Sequence, residues 1–167
     1  FMGDGAVIHV AEGVALTRPL HLIFVNAGKD PASIFVRSLV VIEKGARAML
    51  VESHVGANAR EDQVNAALEL KVGDAAHVDH VKITGQGAGA LHVSSLMATI
   101  GAHARFNEFL FTTGAAVVRN QLFVRFAGED TVAGIRGATL LRGEQQADVT
   151  LVADHAVGAC TSRELFK

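Results

Sequence analysis

The chain has 167 residues, half of them hydrophobic, with 17 glycines, two prolines, one cysteine and neither Tyr nor Trp. That length supports one domain with a sizeable core, and the composition is that of a globular, turn-rich chain rather than a disordered one. A net charge of −2 without a basic run gives no phosphate-neutralising surface for nucleic acid, and no apolar run approaches the ~18 residues of a membrane-spanning helix.

The opening residues, "FMGDGAVIHV", lack the charged start and apolar stretch of a signal peptide. The chain does not begin at Met, as a fragment or a chain with a cloning remnant would not. From there the chain reads as short runs of strand period, such as "ALELKVG" and "ADVTLVADH", many of them ending at glycine. Runs with helix caps are hard to find. Gly45, Gly73 and Gly101 are evenly spaced, each between two such runs. A period of this size, about 28 residues, predicts a solenoid. Two strands and two turns fill one period, so the expected fold is all-β: a right-handed parallel β-helix of about six coils at usual strand lengths, with residues 1–167 as a single domain. The repeat weakens towards both ends. The interval from Gly13 to Gly45 is longer than that from Gly45 to Gly73, and the loop Asn26–Pro31 is expected to absorb the early slippage. Gly128 falls one place before the next glycine slot, which Glu129 holds.

Two columns at this spacing carry the prediction. Val40, Leu68, Leu96, Val124 and Val152 are all aliphatic and should form an inward stack, burying apolar area at about 25 cal/mol per Å². Glu52, His80, Glu108, Arg136 and Glu164 are all ionisable and should face outward as a solvated ladder.

Three stretches could carry chemistry. "HVDH" brings His77, Asp79 and His80 together in sequence, as a metal site would. On a strand, however, His77 and Asp79 share one face and His80 takes the other, so the three cannot converge on one ion. "GQGAG", Gly85–Gly89, has glycine spacing reminiscent of a phosphate loop, but strand-like sequence follows where such a loop opens a helix, so a turn is expected. In "DHAVGAC", Asp154–Cys160, the thiol and His155 could pair as nucleophile and base, or as two ligands, only if a turn at Gly158 joined them. A buried cysteine in a coil and a histidine at a turn are expected instead. Phe106, Phe109, Phe111, Phe123 and Phe126 are expected in the core. No residue is assigned a catalytic, cofactor-binding or metal-binding role. The alternatives are a metal-binding cupin-like protein, a β-helix enzyme acting on polysaccharide and, less well matched, a hexapeptide-repeat acyltransferase.

The tail "QADVTLVADHAVGACTSRELFK", Gln146–Lys167, resembles the late-core segment of the SufB/SufD family, scaffold subunits of the Suf iron–sulfur cluster assembly system. The segments "DGAVIHVAEG" and "PLHLIFV" resemble the lead-in to that family's β-helix. Gly158, Ala159 and the pair Arg163–Glu164 depart from its usual pattern. The resemblance implies a right-handed parallel β-helix and a non-catalytic parent protein. That protein would pair with SufB, be driven by the SufC ATPase, carry an iron–sulfur cluster only transiently on the complex, and reside in the cytoplasm. It also implies further coils and flanking helical regions, with the histidine implicated in assembly lying outside this chain. The isolated chain is expected to self-associate as a homodimer.

Overall fold

The computed structural model describes residues 4–28, 30–56 and 61–167. Twelve strands follow one another among them: β1 (Val7–Val10), β2 (Leu20–Asn26), β3 (Ser33–Ile42), β4 (Arg47–Gly56), β5 (Gln63–Val72), β6 (His77–Gly85), β7 (Leu91–Ile100), β8 (Arg105–Thr112), β9 (Val117–Phe126), β10 (Val132–Thr139), β11 (Gln146–His155) and β12 (Thr161–Phe166). Odd strands form one six-stranded sheet and even strands another, each in sequence order and each pairing parallel. This is the expected β-solenoid with two strands per coil. It is not the two-sheet jelly roll of a cupin, whose sheets are antiparallel.

The step between coils varies. In the odd sheet Val7 pairs with Leu39, Ser33 with Gln63, Gln63 with Leu91, Leu91 with Val117 and Val117 with Gln146. The step thus shortens by two at each coil as far as β9 and then lengthens by three. The early steps are the longest, as the glycine intervals suggest, although Lys29 of the Asn26–Pro31 loop lies outside the described residues. That variation decides which side chains stack. Leu68 and Leu96 are register partners, as expected, and Leu122 and Leu151 continue their row. Val40 pairs with Leu70 and Val124 with Ala98. Both are inward and buried, but each lies two places from its expected neighbour. Between β9 and β11 the step is odd. An odd shift exchanges the two faces of a strand, so Val152 pairs with Phe123 and points outward, 47 % exposed.

The turns explain the glycine spacing and its drift. After the odd strands, Gly13, Gly45, Ala75, His103, Asp130 and Ala159 each have φ between +55° and +69°. Of these, only Gly13 and Gly45 meet the left-handed requirement with glycine. Gly73 and Gly101 serve a different need: a Cβ on Gly73 would lie 2.6 Å from Lys44 N, and one on Gly101 2.8 Å from Asp74 N. The same close approach recurs at Gly128, whose Cβ would meet Ala102 N at 2.0 Å. Its early position matches the short step from Arg105 to Val132 in the even sheet. The evenly spaced glycine column therefore mixes two structural positions.

The main core runs between the sheets. Leu50, Val78, Phe106 and Ile135 come from even strands, and Val40, Leu70, Ile100, Leu122 and Phe126 from odd ones. Of the five phenylalanines expected in the core, Phe106 and Phe126 are fully buried. Phe109 and Phe123 face outward and are exposed, and Phe111 lies half-buried on the outer face. Strand alternation places them there, because each has the parity opposite to its inward neighbours.

Candidate functional site

The expected outward ladder is largely an inward cluster. Glu52, His80 and Glu108 are buried between the sheets, His80 at 2 % exposure and Glu108 at 1 %. Alternation fixes this: Glu52 has the parity of Leu50, His80 that of Val78, and Glu108 that of Phe106 and Leu110. Arg136 lies one place beyond the register, outward on β10, opposite Phe109. Glu164 pairs with Ile135 on the inward parity of β12 but is exposed. The expected outward placement therefore fails for Glu52, His80 and Glu108.

Further polar side chains share this interior. His54 follows Glu52 on β4 with the same parity, and Lys82 follows His80 on β6. Strand β7 contributes His92 and Ser94, β9 contributes Asn120, β8 contributes Thr112, and Gln86 comes from the turn after β6. The contacts form a chain. His54 Nε2 is hydrogen-bonded to Glu52 Oε1. Glu52 Oε2 lies 3.5 Å from His80 Nε2, and His80 Nδ1 lies 2.7 Å from Glu108 Oε2. Lys82 is the register partner of Glu52 across the coil boundary. The His54 ring stacks on Phe24 at 4.8 Å and meets the edge of His92 at 4.6 Å. His92 Nδ1 donates to Gln86 Oε1 at 2.8 Å, and Ser94 Oγ donates to Asn120 Oδ1 at 2.7 Å.

Burial and neighbouring charge set the protonation states. Burial alone would depress His80, but the Glu108 charge, the hydrogen bond that its Nδ1–H donates to Glu108 and the nearby Glu52 carboxylate raise its pKa to about 10. It is an imidazolium at neutral pH. Burial works against the ionised form of Glu52 too, yet Lys82, His54 and His80 hold its carboxyl well below the ordinary range. Desolvation lowers His54, and desolvation with the nearby Lys82 and His54 lowers His92 well below the usual imidazole value. Lys82 is lowered by burial against the attraction of Glu52 and Glu108. Charged and neutral imidazoles thus sit side by side, sorted by how burial and nearby charges balance at each ring.

Two spaces adjoin the cluster. A cavity of about 10 Å³ is lined by Glu52, His80, Lys82, Ser94, Glu108 and Asn120, with leucines from both sheets. An outer pocket of about 270 Å³ is lined by Phe24, Val36, His54, Val64 and Gln86 among others. His54 belongs to the pocket and its partner Glu52 to the cavity.

The stretches singled out from sequence fall elsewhere. His77 and Asp79 share the outer face of β6, 3.6 Å apart and half exposed, while His80 points inward, as alternation requires. Among the described residues no group of three His, Cys, Asp or Glu has metal-holding geometry. Gly85 closes β6, and the residues after it turn directly into strand β7. The structure does not bring His155 and Cys160 together. The imidazole stacks on Phe126 at 4.3 Å and pairs with Ser162 Oγ, while Cys160 Sγ donates to Gly128 O at 3.3 Å. No helix among the described residues is long and apolar enough to cross a membrane.

Residues 24–167 match the family described as the SUF system FeS cluster assembly, SufBD core domain. An iron–sulfur cluster assembly SufBD family protein of Mycobacterium tuberculosis is 32 % identical over 98 % of this chain and 40 % of its own length. One from Synechocystis is 28 % identical over 95 % of this chain and 37 % of its own length. The iron–sulfur cluster assembly protein SufD of Escherichia coli is 24 % identical over 97 % of this chain and 40 % of its own length. The chain thus spans well under half the length of these relatives.

Proposed function

The chain belongs to the SufBD core-domain family of the SUF iron–sulfur cluster assembly system, and from that premise we propose that its parent protein is a non-catalytic scaffold subunit of the assembly machinery. It pairs with a SufB homologue, takes its driving force from a SufC-type ATPase, carries the cluster only transiently on the assembled complex, and works in the cytoplasm. The family match over residues 24–167 carries this reading, supported by similarity to a protein named SufD along nearly the whole chain. The fold suits the role. Parallel coils stacked strand on strand form a stiff rod that can hold partner surfaces at fixed spacing.

The test is co-purification of the full-length parent with its SufB and SufC homologues. A stable complex with ATPase activity confined to the SufC subunit is expected; a parent that binds neither homologue would end the scaffold reading. For the chain alone, the exposed Leu140, Leu165 and Phe166 near the β12 end support self-association as a homodimer. Light scattering should give twice the monomer mass, and a monomer at high concentration would exclude it.

A further inference from the structure

We propose that His54, Glu52, His80 and Glu108 form a proton path from the outer pocket into the interior of the solenoid, completed by a single water in the buried cavity. The path runs through contacts already described. His54 lines the pocket and bonds Glu52; the other oxygen of Glu52 faces His80 Nε2; His80 Nδ1 faces Glu108 Oε2. The separation of 3.5 Å between Glu52 and His80 exceeds an ordinary N–H···O hydrogen bond, and the proposed water completes the path there. A cavity of about 10 Å³ touching both residues has room for one. Two buried atoms in this region, His80 Nε2 and Glu108 Oε1, have no hydrogen-bond partner among the described residues. A water that accepts from His80 Nε2 or donates to Glu108 Oε1 supplies one.

The transfer balances without electrons moving. His80, an imidazolium, passes its Nε2 proton through the water to the Glu52 carboxylate at Oε2 and keeps its Nδ1–H on Glu108 Oε2. The Glu52 carboxyl then turns to hand that proton to Nε2 of His54 in its Nδ1–H form, and His54 releases its Nδ1 proton to pocket water; the reverse sequence returns a solvent proton to His80. Each N–H or O–H bond formed is matched by one broken upstream. The titratable and charged groups facing the path are Glu52 and His54 from β4, His80 and Lys82 from β6, His92 from β7 and Glu108 from β8. His92 lies beside the path rather than on it, because its bond goes to the Gln86 amide, which cannot relay a proton. The inference goes beyond the cluster-assembly reading and stands or falls separately from it.

The test is exchange of the His80 ring N–H with water, followed by NMR on histidine-labelled protein. Backbone amides of Val81 and Phe109 report how often the strands open. With a path, the His80 ring proton exchanges at least about ten-fold faster than that opening allows, and His54→Phe, which keeps an aromatic ring against Phe24, slows it to the opening rate. A wild-type ring proton that already exchanges at the opening rate overturns the proposal, whether or not the variant folds. So does a fast rate that His54→Phe leaves unchanged.

Discussion

His80 shows how far a buried charge depends on its partners. Glu108 Oε2 at 2.7 Å makes the imidazolium the favoured form inside the protein. Removing one partner of a buried pair costs far more than an exposed pair would contribute, about 3–5 kcal/mol. Glu108→Ala should therefore lower stability by about that amount in chemical denaturation, whereas Glu69→Ala, which breaks the exposed pair with Lys71, should cost no more than ~1 kcal/mol. The acid limb has a defined sign. His54 and His92 are neutral when folded but titrate normally when unfolded, so protons favour the unfolded state as pH falls below 6.5. Glu52, with its folded pKa depressed, adds stability above 4.5 that is lost as pH falls further. The denaturation midpoint should drop between pH 7 and 5 and drop again below 4.5. On the alkaline side, His80 contributes stability that is complete below 6.5 and disappears as pH rises through about 10. Lys82, lowered by burial, acts in the opposite direction there. The sequence contained the signal for this cluster: Glu52, His80 and Glu108 share parity with Leu50, Val78 and Phe106. Charge type pointed outward and alternation pointed inward, and between two facing parallel sheets alternation prevails.

The turn is the element that sets the register. Among the described residues, five that are not glycine occupy left-handed backbone, a conformation costing an L-residue roughly 1–2 kcal/mol. Ala75→Gly should consequently stabilise the chain by about 0.5–1 kcal/mol once the greater freedom of glycine in the unfolded state is subtracted, a gain visible as a higher melting temperature. Gly128→Ala should act the other way by ~1–3 kcal/mol or more, because the added methyl meets backbone rather than a movable side chain. The even glycine period was legible because Gly73 and Gly101 both mark the same close approach. The variation in step from coil to coil was not, because alanine, histidine and aspartate fill the left-handed position in later coils. Even slips left Val40 and Val124 inside; the odd step put Val152 outside.

Over the whole molecule, two sheets enclose an interior that is apolar towards one side of the stack and polar around Glu52, His80 and Glu108. The chain that builds this rod belongs to the family described as the SUF system FeS cluster assembly, SufBD core domain. The sequence supported the solenoid through its repeat and the family through its tail, but the polar interior emerges only when three coils are superimposed. The measurement that bears most directly on that interior is a pH titration of the His80 ring by NMR. If His80 sits between Glu52 and Glu108 inside the stack, its imidazolium signal persists at pH 8 and titrates near 10. A ring that loses its charge near 6.5, as a solvated histidine does, would place it outside and contradict the account.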